Sequence, residues 1–203
     1  MALLYDAELT PGKTELLRAW LPRTSFYTGT ASAVERIGSF RFDDPDGEVG
    51  IETHLVRDTD GVVYQVPWTY RAAPLHGARP AGEMEHSVLG HRYVYDATTD
   101  PVYVRQLLET IVGGGREADQ YVHVDDGAPR QAVGTASVRG SGADGIEIPV
   151  VDAVRAVDDD GRTVIETGAV RVVVHHRPAG IDLPGPVLTG VWDGGRGVLA
   201  SLS

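Results

Sequence analysis

Glu48-Val49-Gly50-Ile51-Glu52-Thr53-His54-Leu55, the turn Asp58-Thr59-Asp60-Gly61, and Val62-Val63-Tyr64-Gln65-Val66-Pro67-Trp68-Thr69-Tyr70 decide the fold class. Val49, Ile51, Thr53 and Leu55 alternate with Glu48, Gly50, Glu52 and His54, which is the period of a half-buried strand. Val62, Tyr64, Val66, Trp68 and Tyr70 repeat it beyond the turn, and an Asp-Gly pair between two such runs predicts a hairpin. Phe40 and Phe42, ahead of the turn Asp43-Asp44-Pro45-Asp46-Gly47, predict a third strand.

Toward the N-terminus, Thr10 as N-cap and Pro11 at the first helical position predict a helix with Leu16, Leu17, Trp20 and Leu21 on one face, stopped by Pro22. Toward the C-terminus, a Pro/Gly/Ala-rich loop at 71–82 leads into a strand-like stretch, 83–95, with Val88, Leu89, Tyr93 and Tyr95. Asp100 then caps and Pro101 opens a second helix, with Val104, Leu107, Leu108, Ile111 and Val112 as its buried stripe and Gly113-Gly114-Gly115 as its end. Residues 116–130 are polar and read as a linker. Strands follow at 131–139, 146–157, 162–174, 187–192 and 197–202, with Asp158-Asp159-Asp160-Gly161 as a hairpin turn. The expected class is α+β: a curled antiparallel sheet flanked by two helices (1–115), a linker (116–130), and a mainly antiparallel β-rich second half (131–203).

At 203 residues and 42% hydrophobic, the chain can bury a real core, as one large domain or two small ones joined tightly. Neither a signal-type stretch nor an apolar run of spanning length occurs, so a cytoplasmic protein without membrane contact is expected. The absence of Cys excludes disulfides, thiolate nucleophiles and Cys-metal sites. A net charge of -11 disfavours nucleic acid and anionic lipid, which are bound through basic patches. Lys13 is the only lysine and Asn is absent.

Three features together resemble a known family: Phe40-Arg41-Phe42-Asp43-Asp44-Pro45, the strand ending Tyr64-Gln65-Val66-Pro67, and Tyr95-Asp96-Ala97 followed by the helix opening at Asp100-Pro101. They look like the N-terminal cap domain of actinobacterial maltokinases and related sugar kinases. Gly50-Ile51-Glu52-Thr53 and Met84-Glu85-His86-Ser87-Val88-Leu89-Gly90 are similar to stand-alone cap-like proteins of that group. The resemblance covers roughly residues 1–115. It implies a second half related to the kinases' intermediate nucleotide-binding subdomain. There Ala169-Val170-Arg171-Val172-Val173-Val174, followed by His175-His176-Arg177, looks like the strand of the ATP-binding lysine, with Val173 in the lysine's place. ATP is therefore not expected to bind, and no cofactor is implied.

Other motifs carry less chemistry. Gly140-Ser141-Gly142-Ala143-Asp144-Gly145 matches G-x-G-x-x-G, but a dinucleotide site needs a helix next and a kinase loop needs a downstream lysine, so a flexible hairpin using positive-φ glycine is expected. His123-Val124-Asp125 resembles part of a kinase catalytic loop, which also requires Asn and Asp-Phe-Gly, and reads as linker. Glu83, Glu85, His86 and His91, with His175 and His176, are the densest set of metal-ligand types. On one strand Glu83 and Glu85 face away from His86, so no metal site is predicted. Glu52 and His54 share a strand face and could pass a proton, but nothing orients a nucleophile beside them, and no catalytic residue is assigned.

The expected function is therefore a non-catalytic, cap-like accessory or regulatory partner of a sugar kinase or another enzyme of trehalose, maltose or glycogen metabolism. The candidate interaction surface is Trp68, Tyr70, Glu85, His86, His91 and Tyr93. The alternatives are a carbohydrate-binding module using an aromatic sheet face, with a sugar as ligand, and a glucan-related enzyme whose residues assemble without a local motif.

Overall fold

The computed structural model describes every residue except 1, 5–6, 31–32, 123–129, 133, 143–144, 146, 149, 152–153, 169 and 181, and for 2–4 the backbone alone. His123-Val124-Asp125 lies outside the described residues, as do Ala143 and Asp144 of the glycine motif.

The central hairpin forms as the alternation predicts, with Gly50–Arg57 and Val63–Arg71 paired antiparallel from Gly50↔Tyr70 to Arg57↔Val63. Its turn is closed by Asp58, whose carboxylate accepts the backbone N–H groups of Asp60 and Val62. Numbered in chain order, the elements of the first half are β1 (Ala2–Leu4), β2 (Leu9–Thr10), α1 (Lys13–Trp20), β3 (Glu35–Phe42), β4 (Gly50–Arg57), β5 (Val63–Arg71), β6 (Pro80–His86), β7 (Gly90–Asp96) and α2 (Pro101–Val112). Then come β8 (Gln120–Val122), β9 (Arg130–Ala132), β10 (Ala136–Gly140), β11 (Arg155–Asp159), β12 (Arg162–Glu166), β13 (Arg171–Ala179), β14 (Val187–Trp192) and β15 (Gly195–Leu202).

One six-stranded sheet, curled, runs β2-β6-β7-β5-β4-β3, and a second runs β10-β14-β15-β13-β12-β11. A small third sheet, β1-β8-β9, holds a parallel β1–β8 pair, and β8 lies inside the stretch expected to be linker. The molecule is β-rich and mostly antiparallel, and its helices count for less than the expected α+β class implies. Two helices are long enough to bury an apolar stripe, and none of the described residues after Val112 is α-helical.

Several local expectations shift: the strand expected at 131–139 is interrupted at Gly134-Thr135, and of the described residues at 146–157 only 155–157 are strand. Helix α1 begins at Lys13 with Gly12 as its N-cap, because Thr10 is held extended by pairing with Glu85 and cannot cap. The stretch 83–95 is two strands, β6 and β7: the His86 ring accepts the N–H groups of Val88 and Leu89, and Gly90 takes φ +73°. The turn was hidden because Val88 is a strand-former and Leu89 is apolar, so that the run reads as continuous strand. Likewise 162–174 breaks at Thr167-Gly168, where Gly168 takes φ +83°.

The central strands of the first sheet are covered on both faces. Helix α1 and the Phe26-Tyr27 segment pack on the side carrying Val56, Tyr64, Val66 and Trp68. Phe40, Phe42, Ile51 and Leu55 point the other way, into a core shared with α2 (Val104, Leu107, Leu108, Ile111) and the second sheet (Val172, Val174, Leu188, Leu199). Strands β4 and β5 are thus buried through their middles on both sides. Gln65, on β5, ties the sheets together by donating to the carbonyls of His175 (2.7 Å) and Leu199. His176 returns a contact to the Gln65 carbonyl at 3.1 Å and stacks on Phe26 at 3.7 Å.

The glycine motif serves the end of α2. Gly142, at φ +75°, donates its N–H to the Ile111 carbonyl at 3.0 Å, satisfying a carbonyl of the last helical turn. Gly140 lies so close that a Cβ would sit 2.0 Å from the Thr110 carbonyl oxygen. We expect Gly140→Ala to cost about 3 kcal/mol through overpacking, and Gly142→Ala about 1 kcal/mol through the left-handed backbone alone. Urea unfolding checks this ranking, and the reverse order would show that Gly140 is not packed tightly against Thr110.

Candidate functional site

On the α1 side of the first sheet, the alternation of β4 aims Glu52 and His54 inward, beside Trp68 and Tyr70 from β5. Glu52 and His54 were expected on a solvated face. They are buried, at 3% and 0% exposure, because α1 covers that face. The first turn of α1 brings Lys13 to Glu52 Oε2 at 2.5 Å, and β3 brings Arg41 to the same oxygen at 2.8 Å. Glu52 Oε1 is 3.8 Å from His54 Nδ1, and His54 Nε2 lies 2.9 Å from the Tyr70 hydroxyl. The Lys13 ammonium also stands 5.7 Å from the centroid of the Tyr70 ring.

Burial would raise the Glu52 carboxyl, but Arg41, His54 and Lys13 outweigh it and hold it well below the ordinary carboxylate range. Burial pushes His54 down to about 3 against the opposing pull of Glu52. Burial likewise lowers Lys13 against Glu52, with Arg41 adding to the effect, and raises the Tyr70 hydroxyl well above its usual value, with Glu52 adding. At neutral pH the cluster is an ionised carboxylate clamped by two cations beside a neutral imidazole. Burial and the neighbouring charges hold both Glu52 and His54 below the neutral range, where proton transfer at pH 7 is most efficient, and the hydrogen-bond donors of the cluster are Lys13 and Arg41.

These shifts have a sign. The unfolded chain takes up a proton at His54 near 6.5 and the folded chain only near 3, so stability is complete above 6.5 and falls as pH drops through that window. Glu52 adds to the loss below its unfolded value of about 4.5, in the same direction. We expect His54→Gln to remove about 1.4 kcal/mol per pH unit from the slope of stability between pH 6 and 5. Urea titrations at several pH values measure it, and an unchanged slope would move the proton uptake elsewhere.

Lys13, Arg41 and Tyr70 of the cluster line a cleft of about 450 Å³. Leu9 and Lys13 close one side, the β3–β4 turn with Asp43, Asp44 and Glu48 the second, and Met84, His86, Leu89 and Arg92 of the β6–β7 hairpin the third. Asp44 shapes the turn by accepting the N–H groups of Asp46 (3.2 Å), Glu48 (3.0 Å) and Val49 (2.8 Å).

Of the surface expected from sequence, Tyr70 and His86 reach this cleft. Glu85, His91 and Tyr93 lie together on the outer edge of the β6–β7 hairpin. There His91 sits between Glu85 (2.7 Å) and Glu83 (3.1 Å), and its ring meets Tyr93 edge-on at 4.8 Å. Hydrogen bonding to Glu85 raises the His91 imidazole above its usual value. Trp68 is no surface residue: it is fully buried between Trp20, His54 and Tyr70, because β5 has no solvent face. His175 and His176 are engaged elsewhere, by Ser201 and by Thr163 with Gln65. Lys13, Arg41, Glu48 and Arg92 escaped the sequence reading of the site. The one signal pointing to them was the isolation of Lys13 in a chain whose other basic residues are arginine.

Strands β3 to β7, which carry most of this cleft, fall inside a segment with known relatives. Residues 20–100 match the family model of the maltokinase N-terminal cap domain. This segment resembles a maltokinase cap. The cap-like segment supplies Arg41, Glu52, His54 and Tyr70, whereas Lys13 and Leu9 are contributed by chain outside the match. No curated protein matches the chain. Among the described residues no helix is long and apolar enough to cross a membrane.

Proposed function

We propose that the protein is a non-catalytic, cap-like accessory or regulatory partner of a sugar kinase or another enzyme of trehalose, maltose or glycogen metabolism, working in the cytoplasm. The observation that carries this reading is the match of residues 20–100 to the maltokinase cap, a stretch that takes in five consecutive strands of the curled sheet. The resemblance implies a cap that sits over the nucleotide-binding region of such a kinase, and a chain bearing that cap modulates the region in trans.

Affinity capture from native cytoplasm under several growth conditions tests the reading, followed by assay of the purified captured enzyme with and without the protein. A glucan-metabolising enzyme whose rate changes several-fold is the expected result. Recovery of none, or a captured enzyme indifferent to the protein, overturns it. Magnesium–ATP is expected to leave the melting temperature unchanged, because a ligand stabilises only the state that binds it.

A further inference from the structure

The cleft has an unusual balance. Lys13, Arg41 and Arg92 line it, and so do Asp43, Asp44 and Glu48, so three cations face three carboxylates, with the Glu52 carboxylate directly behind Lys13 and Arg41. A free anion entering would meet the carboxylates, and a free cation would meet Lys13 and Arg41, so neither sign of net charge is favoured. What the walls retain is hydrogen-bonding capacity. Among the described residues, the Lys13 ammonium gives one N–H donor to Glu52 and the Arg41 guanidinium gives one to the same oxygen, out of the three and five donors these groups carry. Because these charges are already compensated inside the protein, they suit a partner that can both donate and accept without carrying charge.

Beside these charges and the His86 ring, the lining is largely apolar: Leu9, Val49, Ile51, Met84 and Leu89, with the Tyr70 ring beside them. A ligand matched to both halves has hydroxyl groups on its edge and C–H surfaces on its faces. The volume, about 450 Å³, lies in the ordinary range for a small-molecule site. We propose that this cleft binds a neutral saccharide of one or a few rings, its hydroxyls bridging Lys13 and Arg41 to the Asp43–Glu48 turn and its C–H face lying on Met84, Leu89 and Tyr70. The site is not the aromatic sheet face, whose Trp68 is buried, and it stands or falls independently of any enzyme partner.

Calorimetric titration of the full chain tests it, using glucose, maltose and trehalose as neutral probes, inorganic phosphate as the anion and glycine betaine as the zwitterion. A sugar is expected to bind with Kd on the order of 1 mM. Leu89 and Glu48 are exposed at the mouth, so Leu89→Trp and Glu48→Gln spare the core. Leu89→Trp should weaken sugar binding by at least about tenfold by filling the cleft, and Glu48→Gln by about fivefold by exchanging an acceptor. Unchanged circular dichroism would confirm that both variants fold. Phosphate or betaine binding more tightly than every sugar, no sugar binding at all, or sugar binding indifferent to Leu89→Trp overturns the proposal. Failure to capture an enzyme partner would leave these results as they stand, and absence of sugar binding would not alter the capture result.

Discussion

Replacing Glu52 with Gln is expected to destabilise the protein by about 3 kcal/mol, since removing one member of a buried ion pair strands the charges left behind. Glu52 is 3% exposed and is the carboxylate against which both Lys13 and Arg41 are seated. Without it, two cations face each other beside a Tyr70 hydroxyl and a neutral His54. Lys13, already lowered by burial, would respond by releasing its proton more easily, so the cost should shrink as pH rises. The companion variant is Lys13→Met in the Glu52→Gln background. Removing the second charge should recover part of the loss, giving a coupling energy of about 1–2 kcal/mol in the double-mutant cycle. Chemical denaturation with constant m-values measures all three. A Glu52→Gln cost below about 1 kcal/mol, or purely additive variants, would show that the cluster is solvated rather than clamped.

Asp100→Ala should cost still more, about 4 kcal/mol, because three jobs end at once. Its carboxylate caps α2 by accepting the Val102 N–H at 3.0 Å. It also accepts the Thr69 hydroxyl at 2.7 Å and holds the Arg71 guanidinium through two bonds, at 2.7 and 2.8 Å. Asp100 is fully buried, and Thr69 beside it is too, so the truncated site would leave a buried hydroxyl and a guanidinium without their acceptor. The loss falls on the join between β5 and α2, whose stripe of Val104, Leu107, Leu108 and Ile111 fills the shared core. Asp100→Asn keeps an acceptor for the cap but surrenders the charge facing Arg71, and should fall between the wild type and Asp100→Ala. An Asp100→Ala protein with an unchanged urea midpoint would mean that Arg71 and the α2 N-terminus find water instead.

How much of this was legible in the chain depends on the range of the interaction responsible. The hairpin of β4 and β5, the Asp-Gly turns at Gly61 and Gly161, and α2 from its Asp100 cap to its glycine end follow from neighbours a few residues apart, and the structure has them where the pattern places them. The β6–β7 turn was missed because apolar Val88 and Leu89 fill it, and it is closed by the His86 ring accepting their N–H groups and by Gly90 at positive φ. The start of α1 failed because strand pairing across the chain, Thr10 with Glu85, outbid a local cap.

The site was hidden for a deeper reason. Alternation in β4 and β5 separates two faces but cannot say what lies over either of them. Strand period, turn chemistry, acidity and the resemblance to a maltokinase cap were therefore settled by the sequence alone. Only the tertiary structure decided that α1 covers Glu52 and His54, that Trp68 is core, and that Lys13, Arg41 and the β6–β7 hairpin meet around one cleft. Lys13 and Glu52 are 39 residues apart, and Glu52 becomes a buried, clamped carboxylate only when that distance has been closed by folding.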